Sequence, residues 1–139
     1  MMKPLFSLLA ALLLGGSAAA ATPQWLRYPA ISPDGTQVAF SYKGDLWIVD
    51  ASGGAARQLT SHSAHDYAPV WSPDSKQLVF ASDRHGNFDL YRVAAHGGEP
   101  QRLTTHSAKE TPWTFTPDGQ EILFTAAIQD PASSVLIIF

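Results

Sequence analysis

The sequence holds 139 residues with no cysteine, a formal net charge of −3, and 45% hydrophobic against 15% charged side chains. Without cysteines no disulfide framework exists, so stability must come from packing. The mildly acidic balance, with no stretch that interleaves Lys or Arg with aromatics, argues against nucleic acid as a partner.

Residues 1–21 read as a secretory signal peptide. Lys3 supplies a short positive region, Leu5 to Leu14 an apolar core, and Ser17-Ala18-Ala19-Ala20-Ala21 a small-residue cleavage zone, with the cut expected after Ala20 or Ala21. An uncleaved membrane anchor is the alternative. The apolar core is short for a span of about 20 residues, and no second apolar stretch follows. Cleavage removes one cation, Lys3, and takes the net charge from −3 to −4. The expected location is the periplasm or the cell exterior, with no membrane contact after cleavage.

From Trp25 onward the chain repeats itself. Ser32-Pro33-Asp34 recurs 40 positions later as Ser72-Pro73-Asp74, and 44 positions after that as Thr116-Pro117-Asp118. Seven residues beyond each proline stands a phenylalanine: Phe40, Phe80 and Phe124. Leu46-Trp47-Ile48 corresponds to Leu90-Tyr91-Arg92, with four extra residues near Asp83 to Gly86 in the second copy. Gly53-Gly54 matches Gly97-Gly98, Leu59-Thr60 matches Leu103-Thr104, and His62-Ser63-Ala64 matches His106-Ser107-Ala108. A period near 40 with turn residues at fixed offsets marks a repeat architecture.

Each copy divides into four short runs rich in β-branched and aromatic residues. In the Ser-Pro-Asp-Gly turn, proline presets φ, the Asp oxygen bonds the backbone ahead, and glycine takes a positive φ. Ser75 stands where the other copies have Gly35 and Gly119. A left-handed conformation there costs about 1 kcal/mol on a residue with a Cβ. Four antiparallel strands in about 40 residues is one blade of a β-propeller.

The expected class is therefore all-β, an incomplete propeller of about two and a half blades occupying residues 22–139. Blade 1 covers about 28–61, with strands near Pro29–Ser32, Gln37–Tyr42, Asp45–Asp50 and Ala56–Thr60. Blade 2 covers about 67–105, with Ala68–Ser72 innermost and Gln101–Thr104 outermost. Blade 3 is partial, about 111–139, with strands near Pro112–Phe115, Glu121–Ala126 and Ser133–Phe139. The apolar strands suit blades covered on both faces. About 118 residues follow the signal segment, against at least about 160 for a closed ring of four such blades, so a fragment of a longer protein is expected.

Several residues invite chemistry. His62-Ser63-Ala64-His65-Asp66 has zinc-ligand spacing, yet His62 recurs as His106 while Lys109 replaces His65, so an in-register structural job is the stronger reading. Ser, His and Asp are present for a triad, but no Gly-x-Ser-x-Gly elbow is. His85 and His96 read as solvated loop residues beside glycines. Asp34, Asp74 and Asp118 read as turn formers. Asp66 and Glu110 align with each other in connections that lead into inner strands. A ring of carboxylates at a channel mouth attracts the amino ends of peptides, against the plainer reading of solvated loop charges.

The Ser-Pro-Asp-Gly turns, the Asp-Leu-Trp-Ile-Val-Asp and Asp-Leu-Tyr-Arg-Val runs, the Gly-Gly pairs and the closing Arg-x-Leu-Thr together resemble the TolB-type propeller repeat. Leu26-Arg27-Tyr28-Pro29 followed by Gly44-Asp45-Leu46-Trp47 is similar to the start of the N-terminal propeller of tricorn-like serine proteases. The resemblance covers about residues 25–127. It implies a non-catalytic segment that guides or gates peptides and makes protein contacts, with further blades, a PDZ-like module and a peptidase domain elsewhere in the full-length relative. A TolB-like binding scaffold of the cell envelope, or a non-functional truncation, is the alternative. No position matches a catalytic motif of the family, so no catalytic, cofactor-binding or metal residue is assigned and no cofactor is expected. Asp66 and Glu110 stand as the channel-mouth candidates, and peptides or protein partners as the expected ligands.

Overall fold

The computed structural model describes residues 25–126 and 135–138, and every regular element among them is a strand. The expected signal peptide lies outside the described residues. The first four strands are β1 (Arg27–Ile31), β2 (Gln37–Tyr42), β3 (Asp45–Asp50) and β4 (Arg57–Gln58). They form one antiparallel sheet in the order β1-β2-β3-β4. Strands β5 (Asp66–Trp71), β6 (Gln77–Ser82), β7 (Asp89–Ala94) and β8 (Gln101–Arg102) repeat that order in a second sheet. In the third, β9 (Glu110–Phe115), β10 (Ile122–Ala126) and β11 (Val135–Ile138) lie in the order β9-β10-β11.

The repeat is a repeat of hydrogen bonds. In the first turn Ser32 Oγ donates to Asp34 Oδ1 at 2.5 Å, the N–H of Thr36 donates to the same oxygen, and Gly35 N–H closes on Ser32 C=O at 2.8 Å. Ser72 with Asp74, and Thr116 with Asp118, make the same set. Those bonds to the ionised form pull the carboxyls of Asp34, Asp74 and Asp118 below the usual carboxylate range, the Ser or Thr hydroxyl being the largest cause. They are turn formers. Ser75 holds φ at +60°, the left-handed conformation that Gly35 and Gly119 take at φ +73° and +72°. Its hydroxyl accepts the N–H of Asp34 at 3.1 Å, a bond between neighbouring sheets that glycine cannot make.

The closing Leu-Thr also has a physical job. Leu59 and Leu103 donate to the carbonyls of Leu46 and Leu90, both at 2.8 Å. Thr60 and Thr104 Oγ1 accept the N–H of those same two leucines at 3.0 and 2.9 Å. The outer strands β4 and β8 are accordingly only two residues long, shorter than the runs expected, because each Thr side chain has replaced the ladder. The extra residues at 83–86 lengthen only a loop. Pairing runs from Gln37↔Asp50 to Tyr42↔Asp45 in one sheet and from Gln77↔Ala94 to Ser82↔Asp89 in the other, six pairs each.

Sheets pack face to face. Ala39, Leu46 and Ile48 of the first meet Leu78, Phe80, Tyr91 and Val93 of the second in one cluster. Val79 and Leu90, on the opposite face of the second sheet, meet Ile122, Phe124 and Ala126 of the third. The period-2 alternation of β6 and β7 thus feeds two separate cores.

Candidate functional site

Three sequential neighbours, β1, β5 and β9, are the first strands of their sheets and lie at the sheet edges. Together they line a groove of about 420 Å3. Its wall includes Tyr28, Pro29 and Ile31 of β1, Pro69 and Trp71 of β5, and Trp113 of β9, with no charged side chain on it among the described residues. Proline is tolerated here because an edge strand has no further neighbour to receive its missing N–H, and it blocks the addition of another strand. Pairing with the second strand slips between Arg27 and Ala30 and again between Tyr67 and Val70, where Tyr28 and Ala68 both sit at φ +53°. In β9 the pairing slips at the same point of the repeat, Phe124 facing Pro112 and Leu123 facing Thr114 with Trp113 as the extra residue. It does so without positive φ at Pro112, which proline cannot adopt. Trp71 Nε1 donates to Ala30 C=O at 2.9 Å and ties β5 to β1. Tyr28 and Trp113 are 49% and 64% exposed, which makes them contact surface rather than core.

At one end of the groove an aromatic cluster closes around Tyr67. Its ring stands 5.0 Å from Phe88, edge-on, 5.4 Å from Tyr28 and 5.8 Å from His65. The Lys109 ammonium lies over both Tyr67 and Phe88, 5.4 and 5.1 Å from the ring centres. Such contacts contribute about 0.5–1 kcal/mol where exposed. Tyr67 Oη and Thr111 Oγ1 share a 2.9 Å hydrogen bond that joins β5 to β9.

Both sequence candidates lie at this end. Asp66 and Glu110 open β5 and β9 rather than lying in the connections before them, pairing with Ser82 and Ala126. Their N–H groups bond Gly44 C=O and Phe88 C=O of the preceding sheets. The slip at Ala68 hides this start from a pattern reading. Neither is a solvated loop charge, for their exposures are 0% and 2%. Asp66 Oδ2 accepts from Arg84 at 2.8 Å, and its Oδ1 has no hydrogen-bond partner among the described residues. Arg84 comes from the extra loop, also bonds Ser82 Oγ, and lies over the rings of Phe80 and Tyr91. Glu110 accepts from Thr104 Oγ1. Burial pushes its carboxyl above the usual range, the Thr104 hydrogen bond opposes this, and the Asp89 charge adds to it. Asp89 is itself buried against Arg102. Arg27, Lys43 and Lys109 are cationic side chains exposed at this end, with His65 beside them.

The histidines divide. His62 and His106 Nδ1 each accept the N–H two residues on, at 3.0 Å from Ala64 and 3.1 Å from Ala108, which is the repeated loop function. Among the described residues no group of three metal-ligating side chains converges. His85 is more than a solvated loop residue, because its ring stacks on Tyr91 at 6.2 Å and shares a hydrogen bond with that hydroxyl. The sequence reading missed Tyr67, Arg84 and Trp113. Only the position of the four-residue insertion pointed toward any of them.

A family profile described as the tricorn protease N-terminal beta propeller domain matches residues 23–138. The chain belongs to that family. It is similar to the uncharacterized peptidase YuxL of Bacillus subtilis (strain 168), 33% identical over 69 residues, which cover 42% of this chain and 10% of the relative. It also resembles the Tol-Pal system protein TolB of Anaeromyxobacter dehalogenans (strain 2CP-1), 46% identical over 44 residues, 29% of this chain and 10% of that one. The matched stretch spans a tenth of either relative. Of solved structures, the tricorn protease superposes with a TM-score of 0.64 at 26% identity, over 74% of this chain and 11% of the other. A putative TolB from Agrobacterium tumefaciens gives 0.66 at 24% identity over 78% and 41%, a likeness of fold. In this tricorn-type propeller the three sheets are blades, and β1, β5 and β9 are the inner strands.

Proposed function

We propose that this chain is the propeller portion of an exported tricorn-like serine peptidase, non-catalytic in itself, and that it guides extended peptides along its inner strands. The observation that carries this reading is the uncharged groove across β1, β5 and β9, with Tyr28, Ile31 and Trp113 open to solvent. Apolar and aromatic walls without charge accept many side chains, which suits a guide better than a selective receptor. The prolines and slipped pairing of β1 and β5 keep an extended ligand from being fixed as an extra strand, so it stays free to move on. Export to the periplasm or beyond rests on the N-terminal sequence. The buried Asp66 and Glu110 serve this end by shaping it, through Arg84 and Thr104, rather than by presenting charge.

The second reading, a TolB-like scaffold for folded partners, is favoured by the short stretch shared with TolB. Fluorescence anisotropy with labelled unstructured peptides separates the two. Weak binding that falls about tenfold in the Trp113→Ala and Tyr28→Ala variants supports guidance, given what a truncated aromatic anchor costs. Absence of peptide binding, with retention of folded envelope proteins by the same face, favours the scaffold.

A further inference from the structure

Beside the aromatic end of the groove, between the first sheet and the connection that leads into the second, lies a second pocket of about 650 Å3. Trp25, Arg27 and Tyr28 enter it from the start of β1, Lys43 from the β2–β3 turn, and His62 and His65 from the connection before β5. In a chain of net charge −3, three separate segments bring cationic or donor side chains to one place. Arg27 and Lys43 form no ion pair among the described residues. Lys43 is held by its turn at φ +52°, with its ammonium 5.4 Å over the Tyr42 ring.

His62 adds a donor whatever its charge. Its Nδ1 accepts the Ala64 N–H, so in the neutral ring the proton sits on Nε2. The nearby acids already accept hydrogen bonds from neighbouring groups. Asp45 accepts from His62 N–H and Gln58 Nε2, and Asp83 accepts from His65 N–H. These cations are also where the repeat departs from itself. In the second copy Tyr67 stands where Arg27 does, and Lys109 where His65 does in the third, so the fold does not call for Arg27.

We propose that this pocket binds an oxyanion, taken either as a free phosphate or as the carboxylates of an acidic polypeptide. The proposal is independent of peptide guidance along the inner strands. Unpaired guanidinium and ammonium groups with an N–H donor beside them are the recurring partners of phosphate and carboxylate, and charge-assisted bonds of this kind are about twice as strong as neutral ones.

The test is calorimetric titration of the full chain with inorganic phosphate, and separately with hexaglutamate, in about 50 mM and about 300 mM NaCl. Saturation at one ligand per chain is expected, weaker at the higher salt, and weakened at least about tenfold in the Arg27→Gln/Lys43→Gln double variant. Lys76→Gln carries one of the same charge losses at a site outside the pocket and should bind as the parent does. Quenching of Trp25, identified through Trp25→Phe, places the ligand. Saturation by phosphate alone identifies a free oxyanion as the ligand, and saturation by hexaglutamate alone identifies an acidic polypeptide. The proposal is overturned if neither ligand saturates, if the double variant binds as tightly as the parent, or if Lys76→Gln loses binding equally.

Discussion

The first and second blades are written in nearly the same residues and buried to very different degrees. Strand β6 is buried at five of its six positions, whereas the matching β2 alternates, with only Ala39 and Ser41 buried. β5 is almost wholly enclosed and β1 is mostly exposed. The cause is the neighbours. The second blade has a sheet packed on each face, while Val38, Phe40, Tyr42, Trp47 and Val49 of the first face no described sheet. A propeller repeat is thus a sequence for an interior, and its stability lies largely between blades.

The largest effects should fall where that difference is greatest. Phe80→Ala removes a fully buried ring and should cost about 3–5 kcal/mol. Phe40→Ala at the matching, half-buried place should cost about 1–2 kcal/mol. Chemical denaturation of the two variants measures this, and equal losses would show the first blade to be as enclosed as the second.

Next come the two ion pairs, which among the described residues only the second blade possesses. Arg84→Met strands Asp66 as a buried charge and should cost about 3 kcal/mol. Arg102→Met should cost less, because that side chain is 28% exposed. The closing threonines sharpen the comparison further. Thr104→Val loses bonds to both Leu90 N–H and Glu110, while Thr60→Val loses the one to Leu46 N–H, so about 2 and about 1 kcal/mol are expected.

Much of this was legible in the sequence. The 40–44 residue spacing located the turns and the β2–β3 and β6–β7 hairpins because local hydrogen bonds of Ser, Asp and Thr repeat wherever the residues do. What it hid were consequences of three-dimensional convergence. Asp66 and Glu110 were read as loop carboxylates because a period says nothing about depth. Their burial depends on Arg84, which enters from an insertion, and on Thr104, whose hydroxyl serves two partners. The groove was hidden likewise, since Tyr28 and Trp113 do not align with each other in the repeat and meet only because the inner strands converge.

Glu110 gives a smaller effect with a definite sign. Its folded carboxyl titrates above the ordinary value of 4.5, so between that pH and its raised folded value the native state holds more protons than the unfolded one. Stability should therefore fall as pH rises through this window, and Glu110→Gln should flatten the fall in urea titrations taken at successive pH. Smallest of all is Ser75→Gly. Relief of the left-handed strain contributes at most about 1 kcal/mol, and loss of the hydroxyl that accepts Asp34 N–H offsets part of it. A gain below about 1 kcal/mol in thermal unfolding is expected.

Among the described residues two apolar surfaces stand open, the groove of the inner strands and the face of the first blade on which no described sheet packs. Peptide guidance falls to the groove alone. Photo-crosslinking with unstructured peptides that carry a benzophenone, followed by mapping of the modified residues, tests this directly. Adducts concentrated on β1, β5 and β9, at Tyr28, Ile31 and Trp113 and competed by unlabelled peptide, are the predicted result. Adducts concentrated on Phe40, Trp47 and Val49 instead would contradict it.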